Sequence, residues 1–169
     1  MSRAIRIEPL TPETFAPFGE VLQAIGPPTM TINSGMCGRF HDLARLDFGE
    51  EAPGDAGRPG ISIFQAEACR LPLTLSMVER HPLGSQAVLP NSATPFLVIV
   101  ARHREGVPGR PRAFLTAAGQ GVNYRRGVWH GVLTPMEPGC FFVVDRIGEA
   151  PNLEEFRFDP PFIVGAAES

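Results

Sequence analysis

The stretch Leu71-Pro72-Leu73-Thr74-Leu75-Ser76-Met77-Val78-Glu79-Arg80-His81 decides the fold of this chain. Leu71, Leu73, Leu75 and Met77 alternate with Pro72, Thr74, Ser76 and Val78, the two-residue period of a strand with one face in a core. The same phase, carried on, puts Glu79 and His81 on the inward face. An apolar row that turns polar at one end suits a strand leading into the mouth of a ligand-binding barrel.

Outward from this strand the pattern repeats. Residues 3–7, 20–24, 39–48, 60–67, 86–89, 96–102, 112–118, 128–134 and 140–147 read as further strands, the last followed by a Pro-containing tail. Residues 49–60 and 103–111 read as polar, exposed loops. One short helix is expected, with Thr11 as N-cap, Pro12 at its first position and Glu13 in its first turn. Pro17 and Gly19 end it. Gly and Pro number 18 each in 169 residues, about a fifth of the chain against an ordinary eighth. Many short strands between turns indicate a mainly β sandwich or barrel, not βαβ units. No repeat or linker divides the chain, so residues 1–169 are expected to form one domain.

Composition excludes several functions. A net charge of −3, with no basic stripe or helix-turn-helix pattern, leaves no basis for nucleic-acid binding. No apolar run approaches the roughly 20 residues of a membrane span, and Met1 to Ile7 lacks a signal-peptide core. Cys37, Cys69 and Cys140 form neither a disulfide framework nor a zinc pattern, and none has a basic-neighbour pattern that demands a thiolate nucleophile. A reduced, cytoplasmic setting is expected. All 15 basic residues are Arg, which excludes lysine Schiff-base chemistry. An anionic substrate must then be held by guanidinium, imidazole, metal or backbone N–H groups.

A second segment, Gly127-Val128-Trp129-His130-Gly131-Val132, completes the candidate site. In a strand, His130 shares its face with Val128 and Val132 and can point inward, while Trp129 on the other face reads as packing or a subunit contact. Glu79, His81, Gln86 and His130 could then converge from neighbouring strands.

The spacing Glu79-x-His81-x4-Gln86 followed by Gly127-x-x-His130 resembles the two-part cupin motif. Glu79 stands where that motif has its first His, and Gln86 where it has Glu. The resemblance to bacterial ureidoglycolate lyases is more specific and covers nearly the whole chain. It is carried by Ile32-Asn33-Ser34-Gly35, Arg39-Phe40-His41-Asp42-Leu43-Ala44, Leu71-Pro72-Leu73-Thr74, Glu79 to Ala87, Gln120-Gly121-Val122-Asn123-Tyr124, Gly127 to His130 and Asp145-Arg146. It implies a cupin-like β-barrel (a double-stranded β-helix) with a short N-terminal helix. It also implies a homodimer, cleavage of (S)-ureidoglycolate to glyoxylate and urea in allantoin breakdown, and a divalent metal, nickel by family habit. Glu79, His81, Gln86 and His130 are the metal-ligand candidates, and a metal-free site stays open.

That chemistry needs a base, an acid and a cation for a carboxylate. His81 and His130 are the candidate base and acid in either order, while Glu79 could orient a His, ligate metal or act as base. Arg39 is the candidate carboxylate clamp, and His41 shares its face. Asn33, Gln86 and Asn123 could read the urea group. Tyr124 could be an acid or a lining residue. Asp145-Arg146 reads equally as a buried ion pair or a substrate contact, and His103 as exposed and idle. The competing functions are a cupin that only binds a small carboxylate, and another cupin enzyme such as a metal-dependent oxygenase or isomerase.

Overall fold

The protein is described by a computed structural model covering residues 3–49 and 55–165. The chain begins with β1 (Ala4–Ile5), β2 (Ile7–Pro9), α1 (Pro12–Phe15), β3 (Gly19–Leu22), β4 (Met30–Ile32) and β5 (Cys37–Arg39). It continues through β6 (Arg58–Ala66), β7 (Leu73–Arg80), β8 (Gln86–Pro90), β9 (Phe96–Ala101), β10 (His103–Arg104) and β11 (Val107–Pro108). The last elements are β12 (Arg112–Leu115), β13 (Gly121–Tyr124), β14 (Trp129–His130), β15 (Thr134–Pro135), β16 (Gly139–Ile147) and β17 (Glu154–Val164).

Two sheets carry the fold. The larger runs β1-β17-β7-β14-β9-β12-β2, with β15 also on β9; the smaller runs β3-β13-β8-β16-β6. Only Arg6 separates β1 from β2, yet they occupy opposite ends of the larger sheet. β1 pairs with β17 through Ile5 and Val164, and β2 with β12 through Ile7 and Ala113. The N-terminal segment thus joins the two ends of the larger sheet and leaves it a nearly closed barrel. Ile5, Leu75, Val78, Leu97, Ile99, Ala113, Trp129 and Phe162 fill the inside. The opposite face, with Phe96, Val98, Val100 and Phe114, packs on Val88, Val122, Phe141 and Val143 of the smaller sheet. The result is the mainly β, cupin-like barrel expected. No helix among the described residues is long and apolar enough to cross a membrane.

Helix α1 forms as its sequence dictates. The Thr11 hydroxyl accepts from the Thr14 N–H, and the Thr14 side chain returns to the Thr11 backbone, a complete capping box. Phe15 is fully buried beneath it.

Five expectations need correction. The segment 39–48 is strand only at its start, in β5. Residues 40–48 instead lie over the smaller sheet, held through Asp47 to Ser85, the Arg45 carbonyl to Asn123, and the Phe48 carbonyl to Arg146. The segment 128–134 is broken into β14 and β15, both on β9. The tail is an eleven-residue strand, β17, whose Pro160 and Pro161 fall in an irregularity of its pairing with β7, where no ladder N–H is needed. The loop 49–60 is shortened by β6, which starts at Arg58, and residues 50–54 lie outside the described part. The loop 103–111 contains the small β10–β11 hairpin.

The continuous phase of β7 also fails. Leu75 faces the inside of the barrel and so does Val78, an even residue after an odd one. The change coincides with the irregular pairing, in which Leu75 meets Phe162 but Met77 meets Arg157. Glu79 thereby points away from the barrel interior, toward the smaller sheet.

Candidate active site

Glu79 on β7 pairs with His130 on β14, and His130 pairs with Val100 on β9. This register puts Glu79 and His130 on the face turned toward the smaller sheet. From that sheet, Gln86 and Val88 on β8, Tyr124 on β13 and Phe64 on β6 approach them. Gly131 and Leu133 complete the lining of a cavity of about 40 Å³. Grooves of about 630 and 590 Å³ lie elsewhere, so chemistry and not size singles out this cavity.

His81 follows β7 and enters the same cluster. Its ring centroid lies 5.2 Å from that of His130. Ligand atoms of Glu79, His81 and His130 all fall within 4.8 Å of one another. Tyr124 stacks flat on His130, with centroids 4.4 Å apart and planes 11° apart.

Hydrogen bonds settle both imidazole tautomers. His81 Nδ1 lies 2.7 Å from the Asn152 carbonyl, and His130 Nδ1 lies 3.1 Å from the Gly131 carbonyl. A carbonyl only accepts, so each Nδ1 carries a proton, and in the neutral ring each Nε2 presents a lone pair. Both Nε2 atoms are buried without a partner among the described residues. Unsatisfied buried polar atoms are rare, and two converging on one carboxylate mark a place built for a ligand or for proton transfer.

The environment tunes these groups in different directions. Burial, with His81 nearby as a lesser cause, pushes the pKa of His130 down to about 3, against the opposing effect of its bond to Gly131. Desolvation raises the Glu79 carboxyl above its ordinary range; His81 opposes this, while Glu155, directly across the strand pair, adds to it. Burial also raises the Tyr124 phenol, with Glu79 contributing.

The remaining candidates divide. Gln86 lines the cavity and donates weakly to Asp145, at 3.4 Å. Asn123 does not join the cluster. It alternates with Tyr124 and lies on the other face of β13, donating to Glu20 at 2.8 Å and to the Arg45 carbonyl. Asn33, Arg39 and His41 are exposed on or beside the β4–β5 hairpin. No guanidinium lines the cavity among the described residues. Trp129 packs inside the barrel. His103 is exposed but engaged, accepting from Arg80 and Trp129.

Two residues escaped the selection made from sequence. Asp145 was weighed only as part of a dyad, although it follows Phe141 and Val143 in phase on β16, an apolar row ending in a carboxylate. One of its oxygens is buried and unpartnered. Asn152, which orients His81, carries no sequence signal because its contact is made by a backbone carbonyl.

The set of two imidazoles and one carboxylate fits a divalent first-row metal ion. The donors are O and N, both Nε2 lone pairs are bare, and each ring is oriented by a carbonyl on its other nitrogen, the usual support of a metal-bound His.

Fold and site together define a small cupin-like β-barrel in which two imidazoles and a carboxyl meet between the sheets. The sequence model of the family described as ureidoglycolate lyase matches residues 2–165. A ureidoglycolate lyase of Rhodobacter capsulatus is 58% identical over 161 residues, covering 95% of this chain and 97% of its own. Those of Chelativorans sp. and Mesorhizobium japonicum are each 52% identical, covering 98% and 91% of this chain and 99% and 93% of theirs. The chain belongs to the ureidoglycolate lyase family.

Proposed function

We propose that this protein cleaves (S)-ureidoglycolate to glyoxylate and urea. The observation that carries the reading is the meeting of two unpartnered imidazole nitrogens with a desolvated carboxyl in one cluster, in a chain whose relatives are named for that substrate. One substrate carbon bears a hydroxyl, a carboxylate and the ureido nitrogen. Cleavage requires loss of the hydroxyl proton and protonation of the departing nitrogen.

His130, with its pKa near 3, stays neutral at neutral pH with its one proton on Nδ1, so its Nε2 serves as an acceptor that orients the substrate. Proton movement falls to His81 and Glu79. His81 Nε2 takes the hydroxyl proton, the freed electron pair closes the glyoxylate carbonyl, and the C–N bond breaks. The carboxyl of Glu79, held toward its protonated form by burial, supplies the proton that completes urea. Transfer from His81 back to Glu79, over the short separation of their reactive atoms, restores the starting state. Phe64, 41% exposed and lining the cavity, must give way to admit the substrate. Arg39 is the carboxylate clamp only where the β4–β5 hairpin, or that of a second copy, brings it to the cavity, which no guanidinium of the described residues lines.

A second reading rests on the same donor set. A divalent ion such as nickel, held by Glu79, His81 and His130 with Gln86 beside them, would bind the substrate's oxygens and acidify its hydroxyl. The two readings exclude each other at His81. We further infer a cytoplasmic homodimer acting in allantoin breakdown. Ile61, Ile63 and Phe142, exposed by 76, 66 and 43% on the outer face of the smaller sheet, are the apolar strip that a second copy would cover.

The deciding experiment incubates purified protein with ureidoglycolate before and after chelation, recording urea, ammonia and glyoxylate against a no-enzyme control. Equal urea and glyoxylate, insensitive to chelation, supports acid–base cleavage. The same products lost on chelation and restored by a divalent ion support the metal reading. Protection from thermal unfolding by glyoxylate with no acceleration of cleavage would leave a binding protein only.

A further inference from the structure

The Arg146 side chain is fully buried. Gly57, Gly84 and Gly148 surround it so closely that a Cβ on any of them would overlap it. Its Nε donates to the Phe48 carbonyl at 3.0 Å, and one terminal nitrogen donates to both the backbone carbonyl and the carboxylate of Asp55, each at 3.0 Å.

Asp55 passes the constraint on. Its carboxylate oxygens accept from the N–H groups of Glu149 at 3.2 Å and Ala150 at 3.0 Å. That turn leads to Asn152, which grips the end of β7 twice. The Asn152 carbonyl accepts from His81 Nδ1, and its side-chain oxygen accepts from the Leu83 N–H, each at 2.7 Å. From the other side, the Gly127 N–H donates to the His81 carbonyl at 2.9 Å.

We propose that Arg146, Asp55 and Asn152 are positioning residues that hold His81 with its proton on Nδ1 and its Nε2 bare toward Glu79 and His130. Without an acceptor at a defined position, a neutral imidazole shares its proton between both nitrogens, and only one tautomer offers a lone pair to the cavity. The Asn152 carbonyl cannot be removed by mutation, but its placement depends on the side-chain bond to Leu83 and on the Asp55 bonds to the preceding turn. The proposal rests on the reading of His81 as a working group of the site.

The test uses the full-length protein with nitrogen-15 in its histidines. Long-range proton–nitrogen spectra of wild type, Asn152→Ala, Asn152→Asp and Asp55→Asn report which nitrogen of His81 is protonated. Wild type should show a single Nδ1-protonated form. In Asn152→Ala the two His81 nitrogen shifts should move toward each other, with kcat down roughly tenfold and KM changed much less. Asn152→Asp, which keeps an acceptor for the Leu83 N–H, should restore both, and Asp55→Asn should fall between. If Asn152→Ala and Asp55→Asn remain folded with wild-type His81 shifts and lose only thermal stability, the network is a structural tie and the proposal fails. Should Asn152→Ala not fold, Asp55→Asn decides alone by the same shifts. A wild-type protein with the single tautomer but no turnover would sink the lyase reading and leave the positioning of His81 supported.

Discussion

The two faces of the β7–β14 pair make the most useful contrast in this molecule. On one face Glu79 stands opposite His130, with His81 adjoining. On the other, Arg80 and Trp129, the sequence neighbours of those two residues, lie against each other. Arg80 caps the Trp129 ring at 4.6 Å, pairs with Glu154 at 2.6 Å and donates to His103 at 3.0 Å. The indole N–H also finds His103. Each polar group of that back-face network has a partner. The front face holds two imidazole nitrogens with none. The same strands thus supply both polarities, and satisfaction of hydrogen bonds separates them: the back face is fully partnered, while the front face holds the unpartnered atoms assigned above to the reaction.

The contrast can be broken most sharply at the front. His81→Ala and His130→Ala should each lower kcat for ureidoglycolate by roughly 10²–10⁴, read from glyoxylate and urea release by folded protein. Wild-type turnover in either variant would make that histidine a packing residue. Glu79→Gln comes next. It should lose roughly 10²-fold in kcat while gaining thermal stability at neutral pH. A carboxyl whose folded pKa is raised contributes stability that is present below its ordinary value and lost as pH rises through the folded one. Glutamine cannot ionise, so it escapes that loss. A lower melting temperature in this variant at pH 7 would contradict the desolvation argument.

A third prediction concerns acid. His130, at about 3 in the folded state against 6.5, remains neutral while the unfolded chain takes up a proton. Its contribution to stability is therefore present above pH 6.5 and falls as pH drops toward 3. Between pH 6.5 and 5 the metal-free protein should lose about 1.6 kcal/mol that His130→Gln does not lose, measured by denaturant unfolding at both pH values. Equal slopes in the two proteins would refute it. The smallest effect belongs to the back face. Arg80→Ala should cost about 1 kcal/mol of stability, from its partly exposed ion pair and its contact with Trp129. kcat should change by less than about threefold, and a larger drop would mean that the back face also tunes the chemistry.

Much of the fold was legible because its signals are local. Thr11 and Pro12 started the helix as capping chemistry requires, and alternating apolar residues located most long strands. β17 was hidden by Pro160 and Pro161, which argue against a strand unless the pairing is irregular there. β13 was visible only as a matched motif, since four residues carry too little period to read. At the site, Glu79 and His81 came from the phase of one alternating strand, His130 from the face it shares with Val128 and Val132, and Gln86 from the spacing of the cupin-like motif. Glu79 was chosen by a phase that β7 does not keep: the shift between Leu75 and Val78 changes which space it enters. Asn123 separated from Tyr124 because adjacent residues of a strand point to opposite faces.

By itself the sequence determined that this chain is a β protein built on short strands, without lysine chemistry, and with Glu79, His81 and His130 at the polar ends of apolar rows. Composition, capping and two-residue periodicity act over a few neighbours and are written in the order of residues. Only the tertiary structure decided that β1 and β2 join the ends of the larger sheet, and that Glu79, His81 and His130 meet between the sheets instead of inside the barrel. It alone decided that both imidazoles present Nε2, and that Arg146 reaches His81 through Asp55 and Asn152. Those outcomes depend on strand register, burial and backbone carbonyls from distant segments. The identity of the side chains does not encode them locally.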